Sequence, residues 1–180
     1  MTQTGRTRKR YEKFLADTLK DFEKLGLPTG VFEGVSLKII RPFMAFAKFR
    51  YEDSEILIPY RRIYRGKHPQ AKASIAHELG HFLVYHYYYK FTTLDFTSIF
   101  GGISIYGSGN GEYKRALHVT GYASTNSQED FCEVLSKYFV HSGDIPNKWK
   151  KRPIVRLKWQ FITNLINELS TDYRTANSKS

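Results

Sequence analysis

Two histidines four residues apart constrain this chain more than any other feature. His77 and His81 enclose Glu78, Leu79 and Gly80, in a stretch that follows Pro69 and stays apolar and aromatic to Tyr89. Proline suits the first turn of a helix, so the stretch reads as a helix running to about Tyr89. Helical spacing puts His77, His81, Val84 and Tyr88 on one face and Ile75, Leu79, Phe82 and His86 on the opposite one. Two imidazoles one turn apart can reach a single Zn2+ at about 2.0–2.1 Å. Glu78 is rotated by about 100° from His77 around the helix axis, so it does not bind the metal. It can instead hold a water beside the metal and take its proton. Gly80 leaves space for another segment to approach. In a chain of this composition the pattern His-Glu-x-x-His arises by chance in about one case in a hundred. The bland alternative is an exposed helix with two unpaired histidines. His86, on the other face, is expected to be a structural core residue.

A catalytic zinc usually has three protein ligands and one open position. The third ligand must therefore come from elsewhere in the chain. His118 and His141 are candidates, but neither sits in a recognisable pattern. The segment from Tyr122 to Glu133 offers more. A helix is expected to begin at Asn126 or Ser127, with Ser127 and Asp130 resembling a capping box. On it, Glu129 and Glu133 lie one turn apart on a face shared with Cys132, Ser136 and Val140. Two carboxylates on a compact, otherwise apolar helix are costly to bury unless positive charge is near, and a zinc ion with its histidines supplies that charge. The alternative is that both acids face solvent. By itself Tyr122 reads as one more core aromatic in a tyrosine-rich chain. Cys132 is expected to be a small buried residue and not a nucleophile.

The rest of the chain predicts an α+β fold: a small mixed or antiparallel sheet near the N-terminus, then the histidine helix, then a C-terminal helical part. Residues 8–25 carry Tyr11, Phe14, Leu15, Leu19, Phe22 and Leu25 at helical spacing, and Gly26 and Pro28 stop that helix. Residues 35–40, 43–51 and 55–59 read as short strands, with a tight turn at Asp53 and Ser54 pairing the last two. Between residues 101 and 111 glycines mark a loop, with a short strand over 103–106; this loop is either a cover for the cleft or a surface insertion. Pro146 ends the helix that begins at Asn126 or Ser127, and Pro153 opens the last helix, with Ile154, Leu157, Phe161, Leu165 and Leu169 as its stripe. A single domain over residues 1–180 is expected, with 1–7 and 172–180 as loose tails.

Composition narrows the setting. The chain is 41% hydrophobic and 16% aromatic, which excludes overall disorder. No apolar run is long enough to span a membrane. No apolar segment follows the basic first ten residues, so a secretory signal is not expected, and the single cysteine, Cys132, excludes an internal disulfide framework. Both favour a reducing, cytoplasmic setting. The net charge of +11 concentrates at 6–10, 61–67 and 148–158, which reads either as solvated surface or as a site for nucleic acid.

The two motifs in register resemble a known family. His77-Glu-Leu-Gly-His81, followed 48 positions later by Glu129 within Tyr122-x-x-Thr-Asn126-x-x-Glu129-x-Phe131-x-Glu133, is similar to the catalytic domain of anthrax lethal factor and its relatives. The likeness covers Lys72 to Leu169, and its second motif is far more specific than its first. It implies a zincin-like fold of the gluzincin class. It also implies a zinc-dependent endopeptidase holding one Zn2+ per chain through His77, His81 and Glu129, with a protein or peptide as substrate. Glu78 would be the general base. Tyr122 would point its hydroxyl into the site, to stabilise the oxyanion or assist the leaving amine, and Glu133 would orient a zinc-binding histidine. The family's substrates present basic segments whereas this chain is itself basic, so the likeness implies the reaction and not the substrate.

Overall fold

The computed structural model describes residues 5–40, 46–59, 68–100 and 117–178. Among the described residues six α-helices and three strands run in the order α1 (Gly5–Glu23), β1 (Ser36–Ile40), β2 (Lys48–Arg50), β3 (Glu55–Pro59), α2 (His68–His86), α3 (Leu94–Phe100), α4 (Ser127–Val140), α5 (Asn147–Lys150) and α6 (Pro153–Asn177). The fold is α+β, mostly helical, with one three-stranded sheet. Among the described residues no helix is long and apolar enough to cross a membrane.

Helix α1 buries Phe14, Leu15, Thr18 and Phe22, and the Thr18 hydroxyl is satisfied by donating to the Phe14 carbonyl at 2.8 Å. It ends as its sequence predicts. Gly26 takes a positive φ of 92°, which lets the Leu27 N–H turn back to the Phe22 carbonyl at 3.1 Å and the Gly26 N–H to that of Glu23 at 2.9 Å. The sheet has the order β1-β3-β2, with β1 parallel and β2 antiparallel to β3. It is therefore mixed, and β3 lies in its centre with Ile56 and Ile58 fully buried. The second strand is shorter than expected: β2 covers only Lys48–Arg50, and residues 43–45 lie outside the described residues. Its turn to β3 spans Tyr51 to Ser54, where Ser54 adopts the left-handed φ of 47°.

Helix α2 runs through the middle of the molecule. Packed against the sheet, α1 and α4, it has no polar face: Ile75, Ala76, Leu79, Phe82, Leu83 and Val84 are all buried, as are His77, Glu78 and His81. The two-faced pattern expected from the sequence therefore gives way to burial on nearly every side. His86, expected in the core, is instead exposed at the end of the helix, with its ring 4.1 Å from that of Phe82 and its Nε2 3.3 Å from the Ser54 hydroxyl. Gly80 permits the closest approach in the fold's centre. A Cβ there would stand 2.9 Å from Cys132 Sγ and 3.2 Å from Cys132 Cα on α4. One turn away the Ser136 hydroxyl donates across the same interface to the Ala73 carbonyl at 2.8 Å.

Two expectations for the C-terminal part are corrected. The core stripe of α6 is Val155, Trp159, Ile162, Ile166 and Leu169, with Leu165 beside it, while Leu157 is 45% exposed. The stripe moves because a charged residue, Lys158, is turned inward, which an apolar pattern cannot reveal. Residues 172–177, expected as a tail, continue α6 to Asn177. Asp172 pairs with Lys90 at 2.9 Å, and Tyr173 packs over Gly30, where any Cβ would collide with its ring. The glycine-rich stretch 101–111 with its expected strand, and the basic cluster 61–67, lie outside the described residues.

Because neither Cys132 Sγ nor its backbone can withdraw from position 80, Gly80→Val is expected to destabilise the protein by about 2–3 kcal/mol, lowering its thermal midpoint by roughly 5–10 °C in scanning calorimetry.

Candidate metal centre

Three segments meet over one face of α2. The helix itself presents His77, Glu78 and His81. The 3-10 turn Tyr122–Ser124 brings Tyr122, and the first turns of α4 bring Gln128, Glu129, Cys132 and Glu133. Helix α4 starts at Ser127, as expected, but its N-cap lies one residue before the expected one. Asn126, not Ser127, is the N-cap, its side-chain oxygen accepting the Glu129 N–H at 2.8 Å. Asp130 is thereby released from capping and turns to Lys158 and His118.

The geometry is tight. Glu129 Oε2 stands 3.0 Å from His77 Nε2 and 3.6 Å from His81 Nε2, and the two imidazole rings are 5.1 Å apart. On the far side of His77, Nδ1 lies 3.0 Å from Glu133 Oε1, close enough to pair although its direction falls short of a linear hydrogen bond. The Thr120 side chain lies near Glu133 and favours its ionised form. His77, His81 and Cys132 each bring one donor atom to within 4.8 Å of the others, a buried group that could hold a metal ion. The Tyr122 ring is centred 5.8 Å from that of His77, and its hydroxyl lies near the Glu129 carboxylate. The backbone N–H of Phe49 on β2 lies near the Glu78 carboxyl and favours its charged form.

Charge is distributed to match. Burial alone would push His77 down, but Glu129 and Glu133 outweigh it and hold the imidazole up at about 9. Burial works against ionised Glu129 too, yet the two imidazoles keep it down at about 2. Glu78 has less help. Burial lifts its carboxyl above the ordinary range, and the imidazoles and the Phe49 N–H offset this only in part. Burial and the Glu129 carboxylate push the Tyr122 hydroxyl up to about 12, so it carries its proton at neutral pH. The Cys132 thiol is pushed well up by burial, then further by Glu129, Glu78 and Glu133.

All six residues singled out in the sequence, His77, Glu78, His81, Tyr122, Glu129 and Glu133, converge here. The other two candidate ligands do not. His118 Nδ1 sits 3.3 Å from Asp130 Oδ2, and His141 packs with its ring 5.7 Å from that of Trp149. Four participants escaped sequence reasoning. Phe49 acts through its backbone and Thr120 is an ordinary loop threonine, so neither carries a signal. Cys132 was legible as buried but not as a donor. Gln128 touches His81, and its place beside Glu129 in the first turn of α4 was the one available hint.

Beneath the centre lies a second polar cluster. Lys158, only 2% exposed, pairs with Asp130 Oδ2 and donates to the Leu117 carbonyl at 2.7 Å. Glu129 and Asp130 are adjacent, so one anchors to the imidazoles and the other to α6. No protein-family model matches the chain, and no curated protein or solved structure does either.

Removing one partner of a buried pair strands the other charge. Lys158→Met is therefore expected to cost about 3–5 kcal/mol in urea unfolding, and adding Asp130→Leu to recover at least about half of that loss.

Proposed function

We propose that this chain is a zinc-dependent endopeptidase with the zincin-like, gluzincin arrangement its sequence resembles. His77, His81 and Glu129 would hold one Zn2+. The observation that carries this reading is the placement of one Glu129 oxygen 3.0 and 3.6 Å from the two Nε2 atoms. Ligand atoms around a tetrahedral zinc, each about 2.0–2.2 Å from the metal, stand roughly 3.3–3.5 Å from one another. Cys132 is the competing third donor, within 4.8 Å of both histidines. Glu129 is preferred because it is already ionised, whereas the thiol is held protonated by burial among three carboxylates. Bound there, zinc would supply a water acidified toward neutrality and a Lewis acid for the substrate carbonyl.

The chain's own residues account for the remaining chemistry. Glu78, buried and with its carboxyl raised toward neutrality, takes a proton from the attacking water as the new carbon–oxygen bond forms. It delivers that proton to the amide nitrogen as the carbon–nitrogen bond breaks. The nearby Phe49 N–H favours the charged form of its carboxyl. Tyr122, protonated and half-exposed, is placed to donate to the oxyanion developing on the carbonyl oxygen. Glu133, 3.0 Å from His77 Nδ1, would accept its proton with metal bound and so leave Nε2 free as the ligand. The substrate would be a protein or peptide lying extended along a sheet edge. Among the described residues strand β3 is paired on both sides, so the edge beside Glu78 is β2.

A second reading keeps nucleic acid as a partner. Lys148 and Lys150 on α5, Lys151 just after it and Arg156 on α6 are exposed, and none forms an ion pair with another described residue. If this surface binds duplex DNA, gel-shift affinity falls steeply with salt, and replacing three of these cations by glutamine flattens the slope by about two to three units.

For the principal reading, zinc content and cleavage of a peptide library are measured together. Glu78→Gln is expected to retain zinc and lose cleavage by at least about a thousandfold. Glu129→Ala is expected to weaken zinc binding severely, while Cys132→Ala leaves it nearly unchanged; the reverse pattern would transfer the third ligand to Cys132. Wild-type protein that takes up no zinc on reconstitution would falsify the reading.

A further inference from the structure

The two metal-facing histidines are supported unequally. His77 Nδ1 faces the carboxylate of Glu133, but His81 Nδ1 faces a neutral side chain, the terminal amide of Gln128. As placed, Gln128 Nε2 lies 3.0 Å from His81 Nδ1 and 3.3 Å from the hydroxyl of Tyr51, at the start of the β2–β3 turn. The oxygen and nitrogen of an amide have nearly the same shape, and a half-turn about the last side-chain bond exchanges them.

The hydrogen-bond chemistry distinguishes the two orientations. A neutral imidazole that binds metal through Nε2 carries its proton on Nδ1 and needs an acceptor there. The amide nitrogen cannot accept. It can only donate to a bare Nδ1, which sends the His81 proton to Nε2, the atom 3.6 Å from Glu129 Oε2. That distance is too long for a good hydrogen bond. The amide oxygen fits the metal-bound state on both sides. With its two lone pairs it accepts from His81 Nδ1–H and from the Tyr51 hydroxyl at once.

Resting on the zinc reading above, we propose that Gln128 is a positioning residue for His81. Its amide turns its carbonyl to Nδ1 when metal binds, fixes the tautomer that leaves Nε2 free, and is itself held by Tyr51. The contact chain Tyr51–Gln128–His81 thus joins the turn at the end of the edge strand to a metal ligand. His81 is the ligand whose alignment responds to how β2 sits, whereas His77 is tied through Glu133 and Thr120 to the other side of the centre.

The test measures zinc affinity by competition with a chromophoric chelator. It uses full-length wild type, Gln128→Met, Gln128→Glu, Tyr51→Phe and the Tyr51→Phe/Gln128→Met pair. Methionine keeps the length of the side chain and removes the acceptor; its variant is expected to bind zinc about 10- to 100-fold more weakly. Glutamate restores an acceptor and is expected to bind within about threefold of wild type or more tightly. Tyr51→Phe should weaken binding several-fold alone and not at all in the methionine background, since its hydroxyl acts through the amide. In the zinc-loaded wild type, nitrogen-15 NMR should place a slowly exchanging proton on His81 Nδ1, and that proton should exchange faster in Gln128→Met. Unfolding midpoints of the metal-free proteins check that each variant folds. Zinc affinity within about twofold of wild type in Gln128→Met, or an equal cost of Tyr51→Phe in both backgrounds, overturns the proposal while leaving the zinc reading intact. A wild type that binds no zinc overturns both.

Discussion

Everything near the candidate centre depends on how closely α4 crosses α2. At the crossing a glycine meets a cysteine, and there is no room for one more methyl group between them. That contact sets where the first turns of α4 fall against the histidine helix. Glu129 and Glu133 lie on either side of Cys132 along α4, so both carboxylates reach His77, one at each ring nitrogen. A wider crossing would leave the same residues in the same order along the chain with no donor atoms converging.

Close packing alone would not hold such a polar interior. The fold buries carboxylates only where a cationic or potentially cationic group meets each one. Glu129 and Glu133 are matched by imidazoles, and Asp130 by Lys158 and His118. Glu129 and Asp130 are neighbours that point to different partners, which clamps the rotation of α4 about its own axis. Glu78 is the exception. Its ring neighbours are shared with Glu129, and its one private support is a backbone N–H from a three-residue strand. An acid supported so lightly has its carboxyl raised, which is the property a general base near neutral pH needs.

What the sequence made legible follows from which forces leave a local trace. The histidine pair, its glutamate and the later Tyr122-to-Glu133 segment are encoded by spacing on helices, and all of these residues converge. Strand β3, the turn at Ser54 and the end of α1 at Gly26 were equally readable, because turn and cap chemistry is local. The misses share a different cause. The α6 stripe went astray because Lys158 is buried by a partner 28 positions away. His86 and the faces of α2 were misjudged because periodicity assumes one solvent face, and a helix packed on nearly every side has none. The 172–177 segment looks polar enough for a tail, yet its helix is held by Lys90 and by the ring of Tyr173, contacts that no window of sequence contains. Gln128 and Thr120 act on partners that lie on other elements, so they too left no pattern.

The position of Lys158 on the last helix bears on the order in which the molecule can be assembled. During synthesis the histidine helix emerges first, with its two rings and no carboxylate from α4 to receive them. The Glu129–Asp130 pair follows about fifty residues later, as counted from the sequence. Asp130 has only His118 to meet it until α6 arrives with its ammonium, so α4 settles fully against α2 only once that helix is in place. The groups that could hold a metal ion therefore reach their final arrangement only after α6 has been made.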